Sequence, residues 1–318
     1  MTKVFVYEDV TAMWAGGDCE SPPAPSLLAE GRAMLAAISE DFGRVPRVEV
    51  QTWRQNPDSA AAEPAFCRHA RAADYTLVIA PECGGRLELL CREVIRVSGR
   101  LLGPSPDAVR LTADKLELSR HWEAHGVTTP ATWTLGEEPA GLPVVVKPRD
   151  GAGSQATVLS RGRAPGVAES PGPMIAQEFV RGFAASVAFL VGPNSRTPLV
   201  PCQQVLSEDG RFQYMSGRLP IAPDLANRAI NIATAAIARV PGLLGYVGVD
   251  VVLGKDGRDW AIEINPRMTT SYVGLRALAR FNLAGAMLAA VRSKSIPTFE
   301  WDVGPIAFTP DGRVSPAA

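Results

Sequence analysis

The chain has 318 residues, 46% of them hydrophobic and 20% charged, and its acidic and basic side chains balance to a net charge of −1. That length can bury a full core and fits two or three structural units, while balanced charge without any lysine or arginine run excludes the electrostatic footprint of a protein that grips nucleic acid. The five cysteines, Cys19, Cys67, Cys83, Cys91 and Cys202, are odd in number and show no CxxC pair, which argues against a disulfide framework or a thiolate zinc site and fits a reduced, cytoplasmic setting.

In chain order, MTKVFVYEDV meets Glu8 and Asp9 too early for a signal-peptide core, and no stretch approaches the roughly 18 apolar residues of a membrane span. Residues 4–7 read as a strand ending in a polar, glycine-bearing loop that contains Glu8, Gly16 and Gly17. Leu27, Met34, Leu35 and Ile38 recur at helical spacing and predict a helix over 26–42, with Ser26 as its N-cap. Further strands are expected at 48–52 and 76–80, with Glu82 and Gly84-Gly85 at the exit of the second. Such alternation implies a parallel α/β sheet whose ligand crevice lies at the carboxyl ends of its strands, where Glu8 and Glu82 would both sit.

The segment GPSPDAV at 103–109 punctuates the chain and places the first boundary there. A helix from Thr112, as its cap, to His125 follows, with Gly126 in the left-handed position. A β-branched strand at 144–147 runs straight into PRDGAGS, extended backbone resumes at 156–160, and 161–173 reads as a linker or mobile loop. Strands are expected at 174–180, 185–191 and 200–206, and a helix at 224–239. Residues 247–253 and 260–264 form a hairpin around KDGR. A last helix spans 275–293, and a loosely ordered strand and tail follow Gly304. The expected organisation is therefore an α/β domain, 1–105, followed by two α+β subdomains, 106–173 and 174–318.

The densest chemical signal is the final hairpin. Side chains at i and i+2 share a face of a strand, so in AIEINPR Glu263 and Asn265 point one way and Ile262 and Ile264 point into a core. Pairing across the hairpin brings Asp250, the charged residue of GVDVVL, close to Glu263. Hard oxygen donors of this kind suit Mg²⁺. The bland alternative is the polar face of an exposed sheet, which the strand-disfavoured character of Asp, Glu and Asn weighs against.

Lys147 precedes Gly151, Gly153 and Ser154, whose backbone amides can approach phosphate oxygens; a structural hairpin turn explains that segment about as well, and it is no Walker loop because no GK[ST] follows. Lys115 on the preceding helix is, taken alone, a solvated residue. In MIAQEFVRG, Gln177, Glu178, Phe179 and Val180 form a segment able to present backbone groups to an adenine edge, or else an ordinary edge strand. His69, His121 and His125 share no motif.

Taken in order, these pieces resemble the ATP-grasp superfamily over most of the chain, with ExNPR the most specific string. The resemblance implies an ATP-grasp fold, with a pre-ATP-grasp α/β domain and two α+β subdomains that hold ATP between them. It gives Lys115 and Lys147 to the nucleotide phosphates, Gln177 through Val180 to adenine, and Asp250, Glu263 and Asn265 to Mg²⁺, or Mn²⁺ in its place. It departs from the family at GFAAS, where Ala184 and Ala185 stand in place of the usual ribose-binding acid. A narrower likeness is to the tyramine-glutamate ligase type of methanofuran biosynthesis, on VYEDVTAMWAGG, LLAEGRAMLAAISEDF, LLGPSPDAVRLTADK and EINPRMTTSYVGL. Met13 and Trp14 interrupt the acidic, glycine-rich first loop usual there.

The activity so implied is amide formation from a small carboxylate and an amine through an acyl phosphate, with release of ADP and phosphate. Charge neutralisation by the cation and Lys147 would let ATP meet the carboxylate. Arg267 is the candidate for holding the acyl phosphate or carboxylate, because its planar fork suits oxyanions, against a surface ion pair. Glu8, Gly16, Gly17, Ser271 and Tyr272 are weaker substrate candidates, Glu8 for an ammonium group or as an ordinary loop carboxylate. Competing readings are a catalytically silent nucleotide-binding regulator, an ATP-grasp carboxylase or phosphotransferase, and a dinucleotide enzyme. The last ranks lowest, because the first strand leads to no GxGxxG. The sequence leaves a homodimer open and names neither acid nor amine.

Overall fold

The computed structural model describes residues 1–16, 25–53, 65–151, 153–162, 172–294 and 299–317. The chain opens with β1 (Thr2–Glu8), α1 (Asp9–Gly16), α2 (Pro25–Gly43), β2 (Val48–Thr52), α3 (Ala65–Ala72), β3 (Tyr75–Ile79) and α4 (Arg86–Arg96). Strand β1 lies between β2 and β3 and pairs in parallel with both. Alternation along β1 divides its side chains between two cores: Val4 and Val6 pack with Met34 and Ile38 of α2, whereas Phe5 and Tyr7 pack with Phe66 of α3 and Leu87 of α4.

Two local expectations fail here. A helix, α1, replaces the expected loop, because the Glu8 carboxylate accepts hydrogen bonds from the amides of Val10, at 3.2 Å, and Thr11, at 2.7 Å, and so caps it. Ser26 is not an N-cap, since α2 starts at Pro25, a residue suited to a first helical position.

Next come α5 (Pro106–Ala113) and α6 (Lys115–Ala124), where one helix is expected. Thr112 lies inside α5 and donates to the Ala108 carbonyl at 2.8 Å. Asp114 breaks the helix and caps α6 by accepting from the Glu117 amide at 3.0 Å. Gly126 takes the left-handed conformation expected of it, with φ 73°.

A smaller sheet contains β4 (Thr132–Thr134), β5 (Val144–Pro148), β6 (Val158–Ser160) and β7 (Met174–Glu178), in the order β4-β7-β5-β6. Because β7 pairs along the whole of β5, the boundary expected at 173/174 falls inside this sheet; the chain changes sheets between Glu178 and Phe183.

The larger sheet contains β8 (Phe183–Gly192), β9 (Ser195–Pro198), β10 (Cys202–Leu206) and β11 (Tyr214–Leu219). After α7 (Pro223–Ala238) it adds β12 (Gly245–Leu253) and β13 (Asp259–Asn265). Helices α8 (Ser271–Leu278) and α9 (Leu283–Val291) then precede β14 (Ile306–Phe308) and β15 (Val314–Pro316). One face of this sheet buries Val187, Phe189, Val247 and Val249 under Ala233 and Ile237 of α7. The other contributes Leu190 and Tyr246 to the core that also holds Val4 and Met34.

The last helix is in fact two, because Asn282 caps α9 by accepting from the Gly285 amide at 2.8 Å. The expected loose tail is ordered among the residues described: β14 joins β11, and Phe308 is fully buried. Among the described residues, no helix is long and apolar enough to cross a membrane.

The two ends of the chain are joined by a buried polar cluster. Asp41 of α2 accepts from the Tyr272 hydroxyl at 2.7 Å and pairs with Arg276 at 2.6 Å. Removing one partner of such a pair strands the other. With the Arg276 side chain 22% exposed, Asp41→Ala is expected to cost about 2–3 kcal/mol, read as a shift in the urea midpoint at constant slope.

Candidate functional site

A cavity of about 650 Å³ is lined by the smaller sheet, the larger sheet and the N-terminal domain. Its charged end is built by the β12–β13 hairpin. Asp250 stands directly opposite Glu263, as expected, and the Asn265 amide donates to Asp250 Oδ2 at 3.2 Å. The pairing then skips, Val251 facing Ala261, so that Ile262 is an extra residue on β13. Ile262 therefore lines the cavity beside Glu263, which corrects the expectation of strict alternation; Ile264 does reach the core.

Two lysines face this pair. Lys147, near the end of β5, is buried and donates to Gln177 Oε1 at 2.9 Å. Lys115, the first residue of α6, approaches Glu263 Oε2 at 3.7 Å and donates to the Gly151 carbonyl at 2.9 Å. Their convergence has a local cause. Asp114, the α6 cap, also binds Arg149 through its guanidinium at 2.7 Å, and the Lys115 amide donates to the Arg149 carbonyl at 3.0 Å. The start of α6 is thus bound to the end of β5. Sequence reasoning missed this clamp, though an Asp at a helix start followed far along by an Arg beside a lysine-bearing strand carries its residues.

Burial fixes the electrostatics. It drives the Lys147 ammonium down to about 8, against the pull of Glu263 and Asp250. Burial and the facing Glu263 push the Asp250 carboxyl above the ordinary carboxylate range. Burial works against ionised Glu263 too, but Lys115 and Lys147 hold its carboxyl low.

Two carboxylates so opposed, with a neighbouring amide oxygen, call for a cation, and a divalent ion held by one or two carboxylates plus phosphate oxygens has this donor chemistry. Among the described residues there is no cluster of three or more His, Cys, Asp or Glu able to hold a metal without such help. The residues therefore fit Mg²⁺ presented with a polyphosphate. Because the pair retains a proton that the ion must displace, Mg²⁺ affinity is expected to rise with pH, by up to about tenfold per unit below the pair's titration. Calorimetric titration of Mg²⁺·ADP at pH 6 and pH 8, in buffers of different ionisation heat, measures both affinity and proton release.

Gly151, Gly153 and Ser154 line the cavity above the lysines, and the loop turns through left-handed backbone at Gly153, φ 72°, and Ser154, φ 54°. Gln177, Glu178, Phe179 and Val180 line its far end. The Gln177 side chain is spent inside the protein, on Lys147 and on the Thr132 hydroxyl at 3.1 Å. Ala184 lines the cavity and Ala185 is core.

Arg267 reaches the cavity but is no surface pair: its guanidinium, 11% exposed, binds the buried Glu82 at 2.9 Å, tying the N-terminal domain to the hairpin. Ser271 lines the cavity and shares hydrogen bonds of 2.8 Å with Tyr246 and Thr269. Tyr272 does not line it; the ring is core and its hydroxyl belongs to Asp41. Glu8 lies instead beside a smaller side cavity. Gly16 ends α1, and Gly17 and most of 161–173 lie outside the described residues. Sequence reasoning missed Glu30, which lies within LLAEGRAMLAAISEDF, and Cys202 and Tyr214, whose segments carry no motif; all three line the main cavity.

Two lysines, a glycine loop and an acid-amide hairpin thus meet around one cavity. Residues 112–271 match the ATP-grasp domain family and residues 44–109 the pre ATP-grasp 3 domain, and the chain belongs to the ATP-grasp family. It is 32% identical over 203 residues to the tyramine–L-glutamate ligase of Methanocaldococcus fervens, covering 64% of this chain and 62% of that protein. It is 26% identical over 192 residues to the D-alanine–D-alanine ligase of Bordetella pertussis, covering 52% and 60%. The chain thus spans about three fifths of the length of these ligases. The crystal structure of an ATP-grasp superfamily protein from Archaeoglobus fulgidus superposes with a TM-score of 0.75 at 25% identity, over 97% of this chain and 92% of that one.

Proposed function

We propose that the chain is an ATP-dependent carboxylate–amine ligase. The observation that carries the reading is the cavity's charged end: Lys115 and Lys147 facing Asp250 and Glu263, with the glycine loop above. Bound Mg²⁺, held by Asp250, Glu263 and Asn265, would supply charge neutralisation between the triphosphate and an anionic acid. The protein's own residues do the rest. Lys147 and Lys115 hold phosphate oxygens, the amides of Gly151, Gly153 and Ser154 cover them, and the walls at Phe179 and Val180 accept the adenine.

A carboxylate oxygen bonds to the γ-phosphorus as the bond to the β-phosphate oxygen breaks and ADP leaves. An uncharged amine nitrogen then bonds to the carbonyl carbon. The carbon–oxygen bond to phosphate breaks, phosphate leaves, and the nitrogen gives up a proton. Excluding water protects the activated acid between these steps. Arg267, fixed by Glu82, presents its remaining N–H groups at the cavity wall, beside where the acid would sit. The likeness to the tyramine–L-glutamate ligase supports glutamate and tyramine, or related compounds, as the first substrates to try.

The test is a mass-spectrometric screen of amino acids against amines with ATP and Mg²⁺, with ADP followed in parallel. A condensation product that requires both partners is the expected result. ADP release that needs bicarbonate and no amine, or tight ATP binding without ADP release across the panel, would sink the reading.

A further inference from the structure

The main cavity has a side branch. A second cavity of about 50 Å³ lies under α2 and shares Glu30, Gly153 and Arg267 with the first. Its remaining walls include Leu27, Met34 and Ile79, together with Glu8. Since a water-sized group occupies roughly 10–15 Å³ by this measure, the branch holds about three or four heavy atoms.

The charge at this junction is not balanced. Glu8 and Glu30 line it with Arg267, and Arg267 is already bound to Glu82. Among the described residues no cation is in ion-pair contact with Glu30; it accepts a hydrogen bond from the Thr270 hydroxyl, and its charge acts on Arg267 from a distance. Burial pushes the Glu8 carboxyl up, and its oxygens already serve the amides of α1. Gly31 keeps this packing tight, since a Cβ there would lie 2.7 Å from the Glu8 carboxyl. Glu30 is therefore the carboxylate left to act on something in the cavity. A carboxylate with no cation in contact, at an apolar recess, selects a cation with a small apolar body.

We infer that Glu30 is the residue that recognises the amine substrate, holding its ammonium group at the junction of the two cavities while the two or three atoms next to it enter the recess under α2. This rests on the ligase reading and gives that reading its second subsite: nucleotide and cation at the hairpin end, amine at the α2 end, and Arg267 between them. Deprotonation releases the nitrogen from Glu30 for attack, so Glu30 binds and positions the amine and takes no part in acid activation.

The experiment uses the full chain with ATP, Mg²⁺ and L-glutamate, D-alanine or L-alanine. Hydroxylamine, largely uncharged at neutral pH, first replaces the amine and traps any activated acid as a hydroxamate. Tyramine and propylamine are then titrated with wild type, Glu30→Gln and Glu30→Asp. The expected result for Glu30→Gln is a KM for the amine raised about tenfold or more, as befits loss of a charged hydrogen bond, with kcat moving less than about threefold. Hydroxamate formed by the same sample reports the competent enzyme. Glu30→Asp, which keeps the charge one methylene back, is expected to give an intermediate KM. An amine KM within about twofold of wild type in both variants overturns the assignment while leaving the ligase reading standing. No hydroxamate from wild type with any of the three acids sinks the ligase reading itself, and the amine subsite with it.

Discussion

Glu263→Ala will abolish magnesium-supported turnover, with a fall of at least about 100-fold, the scale on which loss of a cation's fixed partners or of one transition-state contact is felt. Glu263 is the centre of the charged end: it opposes Asp250 across the ladder and pairs with Lys115. Without it a cation has one carboxylate and an amide, and Lys115 is left facing an open cavity. The fold should survive, because β13 is anchored by Ala261 and Ile264 in the core, and removing Glu263 relieves the crowding of two buried carboxylates. Turnover against Mg²⁺ concentration, with circular dichroism and Tm on the same sample, checks the pairing of outcomes. Wild-type rates in this variant would refute the metal assignment.

Lys147→Met will lower kcat/KM for ATP by about 10²–10³-fold, since its charge is preorganised in a dry site against developing phosphate charge. A pH profile separates this role from a structural one. Burial lowers the Lys147 pKa to about 8 in the free protein, so the ammonium form dominates below that pH and is lost above it. Wild-type kcat/KM for ATP is therefore expected to fall on the alkaline side of about pH 8, a limb that reports the free enzyme. Lys147→Arg keeps its charge there and should lose that limb, whatever its absolute rate. An unchanged alkaline limb in Lys147→Arg would assign the fall to another group.

Most of the hairpin site is legible in the sequence because strand pairing is local: Asp256-Gly257 sets the turn, and the turn brings Asp250 to within one residue of its place opposite Glu263. What period-two reasoning cannot see is the extra residue, Ile262, since a bulge leaves no mark in composition. The single long helices expected at 112–125 and 275–293 each break at an Asp or Asn whose side chain caps the next helix. Apolar periodicity carries across such a break, and only the cap's hydrogen bond reveals it. Tyr272 looks like a substrate residue from its place after ExNPR, and is taken instead by Asp41, 231 residues away. Contacts at that separation have no local signature, and the same distance hides Glu82 behind Arg267 and Glu30 beside the cavity.

The apolar interior shared by the first and last parts of the chain makes them a single body, with Val4 and Phe308 in one cluster. The smaller sheet, by contrast, has its own small cluster of four buried side chains, Val144, Val146, Met174 and Ala176. Local opening follows the thinnest packing. The sheet carrying Lys147 is accordingly expected to open first, so its amides should exchange with deuterium before those of either terminus and become protected when ADP is added.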